Sequence, residues 1–83
     1  MERTFELTAI VNLEKDYDQV LDDFIEFIER HYLSAGGGFE RGFCISHDNA
    51  ELTNETHRLA VKEYMENSGN FNNIEIGEIE ESK

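Results

Sequence analysis

Two histidines on predicted helices come nearest to a metal site in type and placement. His31 and His57 each lie on an apolar helix stripe, and if the two helices run antiparallel their imidazoles can approach each other. A closed zinc site needs four ligands, however, and this spacing matches no known ligand motif. We therefore expect two boundary histidines that are satisfied by backbone or water, with no bound metal and no cofactor.

Cys44 and His47 are the residues nearest to a thiol nucleophile with its base. Nucleophilic catalysis needs the base oriented against the thiol, but residues three apart on a strand project to opposite faces. Cys44 is instead expected to be a small buried or half-buried strand residue. The carboxylates of the chain lack the desolvating pocket that general acid chemistry requires. The sequence thus predicts no catalytic residues and a non-enzymatic protein.

The glycine run Gly36, Gly37 and Gly38 could in principle cradle a phosphate through backbone N–H groups. Phosphate loops lead directly into a helix, whereas this run leads into a strand and no Lys-Ser/Thr pair follows it. Consecutive glycines cost conformational entropy, so they mark a turn, a bulge or a close approach of two backbones. We interpret the run as a flexible hairpin entry that also allows close approach of a partner.

Two elements can be placed in the first part of the chain. Alternating hydrophobicity predicts a strand over residues 4–13, and Asp16 can cap a following helix with Gln19 as its reciprocal partner. The core-facing positions of the strand are Phe5, Leu7, Ala9 and Val11. The inner stripe of the helix is Tyr17, Val20, Leu21, Phe24, Phe27, Ile28 and His31.

The second part of the chain predicts three further elements. Residues 39–47 are typical of one or two short strands around a turn at residues 40–42. Thr53 or Asn54 begins a second helix, which Gly69 ends, and a final strand contains Ile74 and Ile76. Residues 79–83 are expected to be a frayed tail. The inner stripe of the second helix is His57, Val61, Tyr64, Met65 and Ser68.

The order β-α-β-β-α-β predicts an α+β ferredoxin-like split βαβ sandwich. Its four-stranded antiparallel sheet has the first and third strands at the centre and both helices on one face. A chain of 83 residues has room for a single domain, which we expect to span residues 1–83. A lone cysteine, no signal peptide and no apolar run of about 20 residues indicate a cytoplasmic protein.

The charge balance is strongly acidic, with seven Lys+Arg against nineteen Asp+Glu and a net charge of -12. This argues against DNA, an RNA backbone or an anionic membrane as partner, and favours a basic protein or simply solubility. Four carboxylates share the outer face of the first helix, where like charges four apart are mildly destabilising. We hypothesise that this acidic face docks on a basic protein. Its members are Asp18, Asp22, Glu26 and Glu29.

A small cationic patch lies on the second helix. Arg58 and Lys62 are four residues apart and flank Leu59, which points away from the inner stripe; Arg41 lies at the predicted hairpin turn. These residues could form a second, smaller contact with a partner. The alternative is ordinary salt bridging within the helix, for example between Arg58 and Glu55.

A short segment is similar to the RNA-recognition motif, which shares the predicted fold. Residues 41–43, Arg-Gly-Phe, fit the start of its third-strand element, and Asn12-Leu13 fits the end of its first-strand element. The stacking aromatic of the first strand would fall at Ala9, so two of three stacking rings are missing. Direct RNA binding is not expected, and a degenerate RNA-recognition domain is the weaker alternative.

Most of the chain resembles the YggL family, small bacterial proteins described as binding the large ribosomal subunit. The resemblance rests on a first strand that ends near residues 12–13 and an acidic helix with Asp-Asp-Phe-Ile at residues 22–25. It continues through Gly-Gly-Gly-Phe at residues 36–39, the glycine-led strand at residues 42–45, and the Thr-led, His-bearing helix at residues 52–65. It implies a non-enzymatic protein that associates with the ribosomal large subunit.

The resemblance leaves the contacted component open. The first strand begins almost at Met1, where better-known members carry a basic extension, so contact through a basic ribosomal protein rather than rRNA is expected. An acidic interaction module or nucleic-acid mimic that fills the basic groove of another protein is the alternative function. Ile10 and Ile79, expected on the open sheet face, could support a weak homodimer; otherwise the chain is a monomer.

Overall fold

The computed structural model describes residues 2–49 and 52–82, and within them it contains two helices and five strands. In chain order these are β1 (Glu2–Val11), α1 (Tyr17–Arg30), β2 (Leu33–Gly38), β3 (Gly42–His47), α2 (Glu55–Ser68), β4 (Phe71–Ile76) and β5 (Glu80–Ser82). The predicted β-α-β-β-α-β order is confirmed, with the short β5 added. None of the described helices is long and apolar enough to cross a membrane.

The sheet is antiparallel and has the strand order β2-β3-β1-β4, so that β1 and β3 lie at its centre as predicted. The side chains of β1 alternate as the period of two requires: Phe5 and Leu7 are buried, whereas Glu6 between them is exposed. The buried face packs against both helices. The fold is therefore the expected α+β sandwich with one open sheet face.

A cluster of aromatic rings forms the centre of the core. The ring centroid of Phe24, on α1, lies 5.1 Å from that of Phe39 and 5.2 Å from that of Phe43. The ring centroid of Phe39 also lies 4.9 Å from that of Phe71 on β4, so the cluster joins a helix, a hairpin and an edge strand. The hairpin is fixed from a second side because the N–H of Ala9 donates to the carbonyl of Phe39 over 2.9 Å.

The second strand lies earlier than predicted. It was expected after residue 38, but β2 ends there, and the glycine run pairs with β3 instead of forming a loop. Gly37 has a φ of 114°, and a Cβ on it would lie 2.2 Å from the carbonyl oxygen of Gly42. The close approach of two backbones, one of the three roles expected for the run, is thus confirmed at Gly37. Glycine lets the ladder continue to the turn.

The start of α1 follows the predicted cap in one respect only. The Asp16 carboxylate accepts hydrogen bonds from the N–H groups of Asp18 and Gln19, at 3.0 and 3.4 Å. The prediction that the Gln19 side chain bonds back to the cap residue is wrong. This side chain instead donates to the Asp23 carboxylate, one turn further on, over 2.9 Å. A side-chain pair at i,i+4 therefore replaces the second half of the capping box.

The ends of α2 were placed correctly. Asn54 is the N-cap, and Gly69, with a φ of 72°, ends the helix in the left-handed conformation. Thr53, the other candidate cap, is fully buried, and its hydroxyl accepts the N–H of His47 over 2.8 Å. Thr53 thereby ties the start of α2 to the end of β3.

The C-terminal segment pairs with β1 where the sequence predicted a frayed tail. Glu80–Ser82 forms β5, opposite residues 2–4 of β1, and Arg3 and Glu81 form a salt bridge of 3.1 Å. Ile79 is half-buried and packs against the core, so its expected place on the open sheet face is wrong, whereas Ile10 is exposed as predicted. Lys83, the end of the predicted tail, lies outside the described residues.

Removal of the Phe24 ring should destabilise the fold. Phe24 is fully buried, so Phe24→Ala should lower the free energy of unfolding by about 3–5 kcal/mol, because the small core cannot refill the cavity. Urea denaturation gives the measurement, and Leu13→Ala, at a fully exposed position, is the control. A Phe24→Ala midpoint close to that of wild type would remove Phe24 from the core.

The glycine run should tolerate substitution unevenly. Gly37→Ala places a methyl group against the backbone of Gly42 at an unfavourable φ, so it should lower the free energy of unfolding by at least about 1–2 kcal/mol. At Gly36 an added Cβ meets nothing within 4 Å, so Gly36→Ala should stay within about 1 kcal/mol of wild type. Equal urea midpoints for the two variants would refute this distinction.

Candidate functional site

The acidic face of α1, defined above by its four carboxylates, is exposed along its length. All four side chains reach solvent, on the side of the helix opposite the buried Val20, Phe24 and Ile28. Packing of the aromatic cluster orients them, because a helix that buries one stripe must present the other. Among the described residues, Glu26 is the member of this face with a salt bridge, 2.5 Å to Arg30. The predicted clustering of these acids on one surface is therefore what the structure shows.

Arg58 serves the fold rather than the cationic patch in which the sequence placed it. Its guanidinium donates to the carbonyls of Gly77 and Ile76, over 2.7 and 3.2 Å, and to the Glu55 carboxylate over 2.7 Å. The Arg58 side chain is 17% exposed, so most of its surface is covered by the chain, whereas the Glu55 side chain is 59% exposed. The alternative of helix salt bridging with Glu55 is confirmed, and Arg58 clamps α2 to the end of β4.

The other residues of the predicted contact set lie at the surface. Leu59 is 49% exposed, and Lys62 lies beside it on the outer side of α2. Arg41 is exposed in the turn between β2 and β3, while Gly36 and Gly37 are exposed on β2, an edge strand of the sheet. These groups are accessible to a partner, but they belong to separate elements and do not form one site.

The third histidine, rather than His31, packs against His57. The ring centroids of His47 and His57 lie 5.2 Å apart, whereas the His31 Nδ1 lies 3.0 Å from the carbonyl oxygen of Phe27 on its own helix. The Nδ1 atoms of His57 and His47 accept the N–H groups of Asn54 and Asn49, at 3.1 and 2.9 Å. Each imidazole thus bonds a backbone group, as expected of boundary histidines.

The role of His57 as a helix cap was missed from the sequence. With Asn54 it forms a capping box, in which each side chain bonds the other residue's backbone N–H. The three-residue spacing was a usable signal, although the third position usually carries Glu or Gln. Burial lowers the pKa of His57 because it disfavours the charged imidazolium, and the nearby His47 and His31 lower it further through like-charge repulsion. Among the described residues, no cluster of His, Cys, Asp or Glu side chains is arranged to hold a metal ion.

Cys44 lies on the open sheet face and is exposed, which corrects the expectation that it is buried or half-buried. Phe43 and Ile45 on either side of it are buried, so the alternation of β3 turns Cys44 outward, opposite Glu6 of β1.

A groove between the two helices was also missed from the sequence. Phe27 of α1 and Tyr64 of α2 stack with their ring centroids 4.3 Å apart and an angle of 19° between the planes. Both rings are half-buried, so they form the floor of a shallow cavity of about 300 Å³. Burial and then the carboxylates of Asp23 and Glu26 raise the pKa of Tyr64. We call this cavity the interhelical groove; it is lined by Phe27, Ala60, Glu63, Tyr64 and Asn67.

The capping role of His57 should make stability depend on pH. Its pKa lies below the unfolded value of 6.5, so the unfolded chain binds more protons near that pH and stability is lost as the pH falls through this range. His57→Gln keeps a capping acceptor that does not titrate. Urea midpoints at about pH 5 and about pH 7.5 should therefore differ less, in that direction, for His57→Gln than for wild type. Identical pH profiles would show that protonation of His57 does not oppose folding.

Comparison with known proteins places this geometry in a family. No curated protein and no solved structure matches the chain. A family model described as "YggL 50S ribosome-binding protein" matches residues 2–82. The match includes both helices and every strand described above, and it confirms the predicted resemblance. The chain belongs to the YggL 50S ribosome-binding protein family.

Proposed function

We propose that this chain is a non-enzymatic, cytoplasmic binding protein that associates with the ribosomal large subunit by docking its acidic face on a basic ribosomal protein. The observation that carries the association is the family match over residues 2–82. The choice of a protein surface within the subunit rests on the charge and on where the carboxylates lie.

Contact through protein rather than rRNA follows from the two exposed surfaces of the sandwich. The net charge is -12, and the helical side presents the acidic face. The open sheet face carries Glu6 and Glu75, so it too repels a phosphate backbone. Ala9 and Phe43, the positions on which an RNA-recognition reading depends, are buried toward the helices and offer no stacking surface. These contacts do not support the RNA-recognition alternative.

Electrostatics gives the docking a reason. Like charges close together on one helix face repel one another and bring no stability of their own. A basic protein surface would relieve this repulsion and speed the encounter, so that the association falls as salt screens the charges. Leu59 and Lys62 on α2, with Arg41 and the glycine run on the β2–β3 hairpin, are proposed as smaller contacts. Arg58 is left out because its donors are used within the chain.

Charge reversal on the acidic face should weaken binding to the large subunit. We expect Asp22→Lys/Glu29→Lys to reduce affinity in co-sedimentation at low salt by about tenfold or more, because two attractive contacts become repulsive. This pair leaves the Glu26–Arg30 salt bridge intact. Circular dichroism establishes that the variant is folded.

The matched control reverses the same number of charges elsewhere. Glu75→Lys/Glu78→Lys alters exposed acids on and beside β4 and should bind at least as well as wild type. A folded acidic-face variant that binds as well as wild type, or an equal loss in the control, would refute docking through this face. Wild-type chain that ignores large subunits but captures another basic protein would instead favour the alternative of a general acidic interaction module.

A further inference from the structure

We propose that the interhelical groove is a binding site for an arginine side chain of a protein partner. This inference rests on the proposed function in one respect, namely that the partner is basic. It goes further because it assigns the residues that receive a particular side chain and distinguishes them from the general attraction of an acidic surface.

The floor of the groove suits the stem of an arginine. Phe27 and Tyr64 stack on each other but remain half-buried, and Ala60, which lines the same cavity, leaves space that a larger side chain would fill. An arginine buries its methylene groups on such apolar surfaces while its charged end stays at the rim. A cavity of about 300 Å³ is at the small end of ligand sites, which suits one side chain rather than a larger molecule.

The rim of the groove suits the guanidinium. Glu63 of α2 lines the cavity, and Asp23 of α1 lies one helical turn before Phe27, which lines it too. After burial, the carboxylates of Asp23 and Glu26 raise the pKa of Tyr64. The Gln19 amide donates to Asp23 over 2.9 Å, which orients this carboxylate without neutralising it. Arg30 pairs with Glu26, so the charge open to a partner comes chiefly from Asp23 and Glu63.

Arginine fits this combination better than lysine does. Its planar guanidinium can bond two carboxylates at fixed angles. It is also more weakly hydrated than an ammonium group, so it loses less hydration free energy when it packs against aromatic rings. Glu26 belongs to the acidic face and directly precedes Phe27, which lines the groove, so one basic segment could cover both. Charge complementarity and this continuity identify the occupant as an arginine-bearing segment of a basic protein.

The test titrates the full chain with a short Gly-Arg-Gly-Arg-Gly peptide, with capped ends, and follows backbone amide shifts by NMR. The largest shifts should fall on Phe27, Ala60 and Tyr64.

Glu63→Gln should weaken binding about fivefold or more, whereas Glu66→Gln, which removes the same charge from the outer side of α2, should change it less than about twofold. The same peptide with lysines should bind several-fold more weakly. Ala60→Phe, which fills the cavity, should abolish the groove shifts.

Two results would overturn the inference. Equal weakening by Glu63→Gln and Glu66→Gln, or shifts spread over the acidic face without a maximum in the groove, would mean non-specific attraction only. If Ala60→Phe does not fold, Glu63→Gln and its control decide the matter. Co-sedimentation of wild-type chain with large subunits is scored separately. If the peptide binds in the groove but the chain does not co-sediment with large subunits, only the proposed function is refuted. If the chain co-sediments but the peptide does not bind in the groove, only the arginine site is refuted.

Discussion

Burial of Phe24 within the aromatic cluster is the interaction on which the rest of the structure depends. The ring touches Phe39 in the β2–β3 hairpin and Phe43 on a central strand, so one side chain fixes α1 against two parts of the sheet. A domain of this size buries only about 60–65% of its unfolded surface and has few such residues to spare. The same packing decides which side of α1 meets solvent. The acidic face therefore exists as a surface because the opposite side of the helix is anchored.

The separation of charge and aromatic surface gives this small sandwich two kinds of exposed surface. The acidic face is a diffuse field, able to attract a basic surface over roughly a Debye length. The interhelical groove is local, because it is lined by two stacked rings and the carboxylate of Glu63. Diffuse attraction sets the rate of encounter and its dependence on salt, whereas a local groove selects among basic partners. The family match over residues 2–82 includes the two helices that carry both features.

Helices and strands with a clear hydrophobic period were predicted from the sequence, whereas strands that form only by pairing with a neighbouring strand were not. The alternation around Leu7 and the helical stripe around Phe24 each show which side chains face the core, so α1 and the buried face of β1 were predicted correctly. The bounds of β1 were not, because the strand begins and ends two residues before the predicted range. β2 was not, because three of its six residues are glycines and only the ladder with β3 makes it a strand. β5 was missed for the same reason: its polar residues show no pattern until β1 lies beside them.

The candidate site divides in a similar way. Exposure of the acidic face followed from helical geometry alone, since four carboxylates opposite a buried stripe must reach solvent. The role of Arg58 did not, because its acceptors are carbonyls 18 and 19 residues away in the chain. The pairing of His47 with His57 and the stacking of Phe27 on Tyr64 likewise join residues of different elements. Spacing within one element cannot reveal such contacts, whereas a hydrophobic stripe can.

The central claim is that an acidic helix face meets ribosomal protein, and site-specific photo-crosslinking tests it most directly. A photoreactive amino acid placed at position 22 of the acidic face, and separately at position 75 of the open sheet face, would be activated on purified large subunits. The account predicts that position 22 crosslinks to a basic ribosomal protein and that position 75 does not crosslink. Crosslinks from position 22 to rRNA, or crosslinks from position 75 alone, would contradict it.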